Sequence, residues 1–246
     1  MEEVYIRSHL MDQKKSKVDI HVFKSDPKKT FFAPEYDYRI FETEVQQVNC
    51  QELAKLLLSK EKEILKLSKS TVAAGAVNAY TGLKGESTTQ RFDKYNVLKW
   101  EDENIKHLKG NIIHFHNGIM QYFKQPIPKE LYIQCWYNVM RKGEQIKAHL
   151  HDIGAHCYLG GHICVQTTDT TSTHYINPIN QINDPMIYSS KNTVGKMTIF
   201  PNNVPHYTDV YEEDSERITI AFDLFPFNPE TLKDGNLHSG NYLKIV

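Results

Sequence analysis

The pattern of apolar and polar positions divides the chain near residues 125–129. Before this point, residues 17–24 and 37–45 alternate as short strands do, and residues 48–69 and 101–124 repeat apolar side chains at helical spacing. The apolar positions of the two predicted helices are Leu53, Leu56, Leu57, Ile64 and Leu67, and Ile105, Leu108, Ile112, Phe115, Ile119 and Phe123. Residues 72–96 have no clear period and are too long for a simple connector, so we expect a lid or substrate loop there.

Short alternating segments follow residue 129 and predict strands over 131–140 and 217–224. The second segment sets Ile218, Ile220, Phe222 and Leu224 opposite Arg217, Thr219, Ala221 and Asp223. A strand with one apolar face and one small or polar face suits a barrel whose interior holds a ligand. Arg217 is therefore expected to point into that interior. The stretch from 131 to 225 can hold eight short strands, as a jelly roll requires.

These elements together predict a mostly β protein with flanking helices. The expected architecture is a double-stranded β-helix, a cupin-like jelly roll, with the N-terminal helices packed on one of its sheets. We expect one domain over 1–246, in which 1–127 form a helical and extended support with the candidate lid, 128–226 the double-stranded β-helix core, and 227–246 a C-terminal tail.

Composition narrows the function without selecting a chemistry. A net charge of −1 and a pI near 6.9 argue against nucleic acid as a partner, because nucleic-acid-binding domains usually carry a basic excess. The four cysteines match no zinc-ribbon spacing, and so few cysteines fit a reducing compartment. The N-terminus lacks the features of a signal peptide and no apolar run suits a membrane span, so we expect a soluble, cytoplasmic protein with no membrane partner.

Two histidine-containing segments carry the candidate chemistry. In the first, Gly143 precedes His149 and His151, whose side chains project from the same side if this segment is a strand, with Cα atoms roughly 6–7 Å apart. In the second, Gly195 and Pro201 precede His206, which would complete a three-histidine metal site if the two segments are neighbours. Asp152 is the alternative to His151, although regular alternation would turn it to the opposite face.

The remaining histidines have simpler interpretations. His114 and His116 form a second His-x-His pair, but positions two apart on a helix do not face each other, so they are expected to be ordinary packing or surface histidines. His156, His162 and His174 are expected to be polar neighbours of the site and not ligands.

Four motifs follow one another over residues 136–219, and they are Trp136-x-Asn138, Lys142-Gly143-x5-His149-x-His151, Gly195-x4-Phe200-Pro201-x4-His206 and Arg217-x-Thr219. At this spacing they resemble the iron(II)/2-oxoglutarate-dependent oxygenase superfamily, and in particular its prolyl-4-hydroxylase-like branch and a bacterial and phage group within it. Segments 80–83 and 91–100 also resemble the N-terminal region of that group.

The resemblance implies a set of roles. His149 and His206 would bind Fe(II), Arg217 assisted by Thr219 would bind the distal carboxylate of 2-oxoglutarate, and O2 would be the second cosubstrate. Asn138 is a candidate for a polar contact to cosubstrate or substrate. The chain departs from the family at His151, where most members have a carboxylate. Three neutral histidines would leave the iron with two positive charges, which the 2-oxoglutarate dianion would neutralise.

The implied activity is a dioxygenase that hydroxylates a C–H bond and releases succinate and CO2. A first alternative is a three-histidine metal cupin that does not use 2-oxoglutarate. It leaves Arg217 without a task, and His156 stands where a cupin glutamate is expected. A second alternative is a non-catalytic jelly-roll binding module. The sequence selects neither the substrate, which could be a small molecule, an amino acid or a peptide, nor the oligomeric state.

Overall fold

A computed structural model describes residues 2–6, 16–70, 82–83, 86–168, 171–179, 186–232 and 240–246. About half of the candidate lid, 72–81 and 84–85, lies outside the described residues, as does 233–239 of the tail. The described part of 86–96 contains a short 3-10 turn at Thr89–Arg91, and a second spans Val97–Lys99. No helix in the described ranges has the length and apolarity that crossing a membrane requires.

The two predicted helices are present, each shorter than its apolar pattern. α1 spans Cys50–Ile64 and α2 spans Glu103–Tyr122. Each begins where a polar side chain accepts a backbone hydrogen bond, Asn49 from Glu52 N and Asp102 from Asn104 N and Ile105 N, which satisfies amides that have no partner within the helix.

Eleven strands occur in the described residues and form two sheets. The larger sheet has the order β1-β2-β3-β8-β5-β10-β4-β11, and the smaller has the order β7-β6-β9. Their bounds are β1 Glu2–Ile6, β2 Ser16–Lys24, β3 Asp37–Glu44, β4 Tyr132–Met140, β5 Leu159–Gln166, β6 Ser172–Ile176, β7 Ile187–Lys191, β8 Lys196–Pro201, β9 His206–Thr208, β10 Arg217–Phe225 and β11 Leu243–Lys244. The end of the C-terminal tail therefore belongs to the sheet, where β11 pairs with β4.

The two sheets build the predicted jelly roll, with one difference. Seven strands, β4 to β10, lie in the described part of 131–225 instead of eight. The segment 144–149 takes the eighth place beside β9, where it is joined by two isolated bridges, Glu144 with Tyr211 and His149 with His206, and by a hydrogen bond from Thr208 N to Ile146 O at 2.9 Å. The first histidine motif therefore lies on an extended segment that makes too few ladder bonds to form a strand.

Alternation along β10 sorts its side chains as predicted. Ile218, Ile220, Phe222 and Leu224 are fully buried in the hydrophobic core that also includes Leu53 and Leu57 of α1. The other face contributes Arg217, Thr219, Ala221 and Asp223 to the space between the sheets. Antiparallel pairing extends this interior face, because Thr219 lies opposite Asn138 and Cys164, and Ala221 lies opposite Trp136 and His162.

Candidate metal centre

The structure brings the side chains of His149, His151 and His206 into one cluster at the mouth of the barrel. One nitrogen from each ring lies within 4.8 Å of the others. The ring centroids are 4.3 Å apart for His149 and His206, and 5.1 Å apart for His151 and His206. His206 is buried, His151 is partly buried and His149 is exposed at the rim, so the cluster can be reached from one side.

Backbone hydrogen bonds hold the two histidine segments together. His149 N donates to His206 O at 3.1 Å, and His206 N donates back to His149 O at 2.9 Å. His151 N donates to Asn202 O at 2.9 Å. Gly143 starts the first segment with φ of +76°, a left-handed conformation that favours glycine, and its N–H donates to Tyr211 O at 2.6 Å.

In all three rings Nδ1 makes a hydrogen bond within the protein. Nδ1 of His149 is 2.8 Å from Lys147 O, Nδ1 of His206 is 3.1 Å from Val204 O, and Nδ1 of His151 is 2.5 Å from a carboxylate oxygen of Asp223. Carbonyl and carboxylate oxygens only accept hydrogen bonds, so each Nδ1 carries the proton. In a neutral ring this leaves the Nε2 lone pair free, which is the form in which histidine binds a metal.

Electrostatics keep two of these imidazoles neutral. Although part of His149 is exposed at the rim, its ring is largely surrounded by protein, and this desolvation, followed by the charge of His151, lowers the pKa of His149 to about 4. Burial followed by the charges of His149 and His151 lowers the pKa of His206 well below its ordinary value. Burial alone would lower the pKa of His151 too, but the charge and hydrogen bond of Asp223 outweigh it and raise this pKa. Asp223 thus distinguishes His151 from the other two histidines.

Deeper in the barrel, Arg217 is a buried cation that forms no ion pair with any described residue. Its side chain is 1% exposed, and Nη1 contacts only Met140 Sδ, at 3.4 Å. Nε has no hydrogen-bond partner among the described residues, and the one described carboxylate that acts on the guanidinium, that of Asp209, forms no ion pair with it. Burial lowers its pKa. Burying an unpaired charge costs folding free energy, so we expect this guanidinium to bind an anion.

Two further buried hydroxyl groups line the same interior. Tyr175 Oη and Thr198 Oγ1 lie close to each other and have no other hydrogen-bond partner among the described residues. His162, which lies opposite Thr198 across β5 and β8, has its pKa lowered to about 3, first by burial and then by the charge of Arg217. Nothing in the local sequence pattern marks Tyr175 or Thr198 as residues of the site. Alternation along β10 places Asp223 on the face of Arg217 but does not indicate a role for it.

The other residues considered from sequence have defined contacts. Asn138 Oδ1 accepts from the Thr89 hydroxyl, next to Thr219 on the neighbouring strand. The Asp152 carboxylate accepts from Gly154 N at 2.8 Å and does not join the histidine cluster. The remaining contacts are His116 with the Tyr158 hydroxyl, His156 with the Phe227 ring and His174 with Asp209 and Ser189.

Comparison with known proteins agrees with this arrangement. Residues 134–223, which include all three histidines and Arg217, match the model of the family described as "Putative 2OG-Fe(II) oxygenase". The barrel is that of the 2OG-Fe(II) oxygenases. No curated protein matches the chain in sequence.

Solved structures show the same fold. A viral collagen prolyl hydroxylase from Paramecium bursaria Chlorella virus-1, in complex with 2OG, matches with a TM-score of 0.50 and 10% identity over 75% of this chain and 94% of that chain. A prolyl-4-hydroxylase from Pseudomonas putida matches with a TM-score of 0.49 and 12% identity over 72% of this chain and 85% of that chain. At such identities the likeness concerns the fold alone.

The residues present fit the cofactors that this family uses, Fe(II), 2-oxoglutarate and O2. Three imidazole donors suit Fe(II) and leave coordination positions for other ligands. Nε of Arg217, which has no hydrogen-bond partner among the described residues, and the buried hydroxyl groups of Tyr175 and Thr198 offer donors for a carboxylate ligand deep in the barrel.

Proposed function

We propose that this chain is an iron(II)- and 2-oxoglutarate-dependent dioxygenase that hydroxylates a C–H bond of its substrate and releases succinate and CO2. One observation carries the proposal: three histidines with free Nε2 atoms share a barrel interior with a buried arginine that has no ion-pair partner among the described residues. A dianion that ligates the metal at one end and carries a carboxylate at the other would satisfy both.

In this proposal His149, His151 and His206 hold the iron, and Arg217 and Thr219 bind the distal carboxylate of 2-oxoglutarate. The bound iron supplies the oxidative chemistry, and the protein orients the reactants and keeps water away. Arg217 offers a planar fork that can bind a carboxylate through two parallel hydrogen bonds. Its Nε has no hydrogen-bond partner among the described residues, which keeps that fork available.

The substrate would approach from the side where His149 is exposed. Leu150 and Ile153, which are 39% and 77% exposed, flank this rim, and Trp136 packs beside His151 with ring centroids 6.1 Å apart. Asn138, whose carbonyl is engaged by Thr89, could use only its amide NH2 group toward a ligand. We propose a small molecule, an amino acid or a peptide as substrate.

The cupin alternative is less well supported. It requires no anion deep in the barrel and so leaves the buried charge of Arg217 unexplained. The position where a cupin glutamate is expected holds His156, whose ring contacts Phe227 and not the histidine cluster. A non-catalytic binding module would likewise not explain why one nitrogen of each of the three histidines lies within 4.8 Å of the others.

Thermal unfolding tests the proposal. A ligand that binds only the folded protein raises the melting temperature. We expect 2-oxoglutarate to raise it when Mn(II), or Fe(II) without oxygen, is present, and to have much less effect in EDTA. Succinate formation under air with Fe(II) is the second measurement. A melting temperature that does not respond to 2-oxoglutarate with metal present would contradict the proposal and favour the cupin alternative.

A further inference from the structure

We infer that Asp223 is a positioning residue of the metal centre, acting through His151 to fix the orientation and tautomer of that ring. The inference rests on the proposed function, because it takes the three histidines as metal ligands. It adds a residue from a strand on the opposite sheet, which none of the motifs in the sequence includes.

The contact between the two residues is direct. Nδ1 of His151 lies 2.5 Å from Oδ1 of Asp223, and the two side chains are only 9% and 17% exposed. No other described residue hydrogen-bonds to the Asp223 carboxylate. A charge-assisted hydrogen bond in a buried site is strong, and a histidine that ligates a metal commonly donates its other ring nitrogen to such a carboxylate. Here it would aim Nε2 of His151 at the other two histidines.

The neighbouring strand leaves room for this pair. Gly160 lies opposite Asp223 in the pairing of β5 with β10. A Cβ atom added at Gly160 would lie 2.9 Å from His151 Nδ1 and 3.0 Å from Asp223 Oδ1. Any side chain there would crowd both atoms of the hydrogen bond. The backbone thus approaches the His151–Asp223 pair as closely as only a glycine permits.

Asp223 also supplies a negative charge, which three histidine ligands alone do not provide. Three neutral imidazoles would leave a bound Fe(II) with two positive charges, where a carboxylate ligand would leave one. The Asp223 carboxylate supplies a negative charge one ring away from the metal position, and His151 transmits it because a hydrogen bond to Nδ1 makes Nε2 a more basic donor. The His151–Asp223 pair takes the place of a single carboxylate ligand.

A second aspartate–histidine pair shows that the arrangement at His151 is specific. His174 Nε2 is 2.8 Å from Asp209 Oδ1, but its Nδ1 is also occupied, 2.8 Å from Ser189 Oγ. His174 therefore has no ring nitrogen left for a metal. Asp209 provides a matched control for substitution of Asp223.

Cobalt(II) titration of the metal-free protein, followed by its visible absorption, tests the inference without turnover. We expect Asp223→Asn to weaken Co(II) binding by about 10–100-fold and to change the absorption spectrum, because a neutral amide is a weaker acceptor for Nδ1–H and can also turn its NH2 group to the ring, which favours the other tautomer. Asp209→Asn should bind Co(II) as the wild type does. Asp223→Ala provides a second variant if the asparagine variant does not fold. Unchanged affinity and spectrum in either folded variant would overturn the inference.

A double-mutant cycle shows whether Asp223 acts through His151. With His151→Asp the ligand at this position no longer has an Nδ1 to orient, so adding Asp223→Asn should cost much less than it does beside His151. An equal loss in both backgrounds would overturn the inference. His149→Ala separates this result from failure of the site itself: undiminished Co(II) binding in that variant would reject the three-histidine centre, whatever Asp223 does.

Discussion

The main chains of His149 and His206 exchange two hydrogen bonds, with N–O distances of 3.1 and 2.9 Å, although 57 residues separate them in sequence. This bridge fixes the two imidazoles side by side, with ring centroids 4.3 Å apart, without using any side-chain atom. The juxtaposition of the two candidate ligands is therefore a property of the backbone. It should survive the loss of either side chain.

That independence yields the first prediction. His149→Ala or His206→Ala should reduce bound iron to a small fraction of the wild-type content, while far-UV circular dichroism stays unchanged, because neither ring belongs to the large apolar core and His206 packs only on Phe200 and Tyr175 of the smaller apolar cluster. His174→Ala, outside the cluster, is the control and should load iron normally. Full iron loading in either of the first two variants would remove that residue from the metal centre.

Much of this arrangement can be predicted from the two-residue alternation of side chains along extended segments. Alternation along 217–224 correctly places Ile218 in the core and Arg217 in the interior, because a buried antiparallel strand must present alternate side chains to opposite sides. The two-residue spacing of His149 and His151 predicts their shared side even though the segment makes only isolated bridges. An extended backbone imposes the same geometry with or without a ladder.

Other features depend on register, which a single sequence does not reveal. Asp223 meets His151 because β10, β5 and the segment after His149 converge, and Gly160 gives them room. Tyr175 reaches the interior from the smaller sheet, where β6 has only five residues and little pattern. The two helices end before their apolar patterns do. Leu67 and Phe123, the last apolar positions of those patterns, lie beyond the last helical turns and remain partly exposed.

The second prediction concerns the choice between His151 and Asp152. The Asp152 carboxylate is engaged by Gly154 N, whereas His151 faces the cluster. We expect His151→Ala to lose most of its iron affinity and Asp152→Ala to retain it, as measured by metal titration. The exchanged result, with loss only in Asp152→Ala, would make Asp152 the ligand.

The third prediction concerns Arg217 and its proposed ligand, the distal carboxylate of 2-oxoglutarate. Charge-assisted hydrogen bonds of this kind are worth roughly 1.5–3 kcal/mol, so Arg217→Ala should weaken 2-oxoglutarate binding by about one to two orders of magnitude. Calorimetric titration with Mn(II) present measures this, and metal affinity should change little. Arg141→Ala, which removes an exposed arginine paired with Glu61, is the control. Equal cosubstrate affinity in wild type and Arg217→Ala would assign that carboxylate to another residue.

The fourth prediction concerns pH and His162. Burial, then the charge of Arg217, lower the pKa of His162 to about 3 in the folded protein, whereas an unfolded chain has a histidine pKa near 6.5. Between these values the unfolded state binds a proton that the folded state does not, so the contribution of His162 makes the metal-free protein less stable as the pH falls below about 6.5.

His162→Gln should therefore flatten the loss of unfolding free energy on acidification, by up to about 1.4 kcal/mol per pH unit. Urea unfolding of the metal-free protein at several pH values from 7 to 5 measures the slope. His151, whose pKa is raised, contributes in the opposite direction and is present in both proteins, so it cancels in the comparison. His174→Gln controls for the loss of a histidine elsewhere. An identical slope for wild type and His162→Gln would mean that His162 takes up its proton without opposing the fold, and that the interior beside Arg217 is open to water.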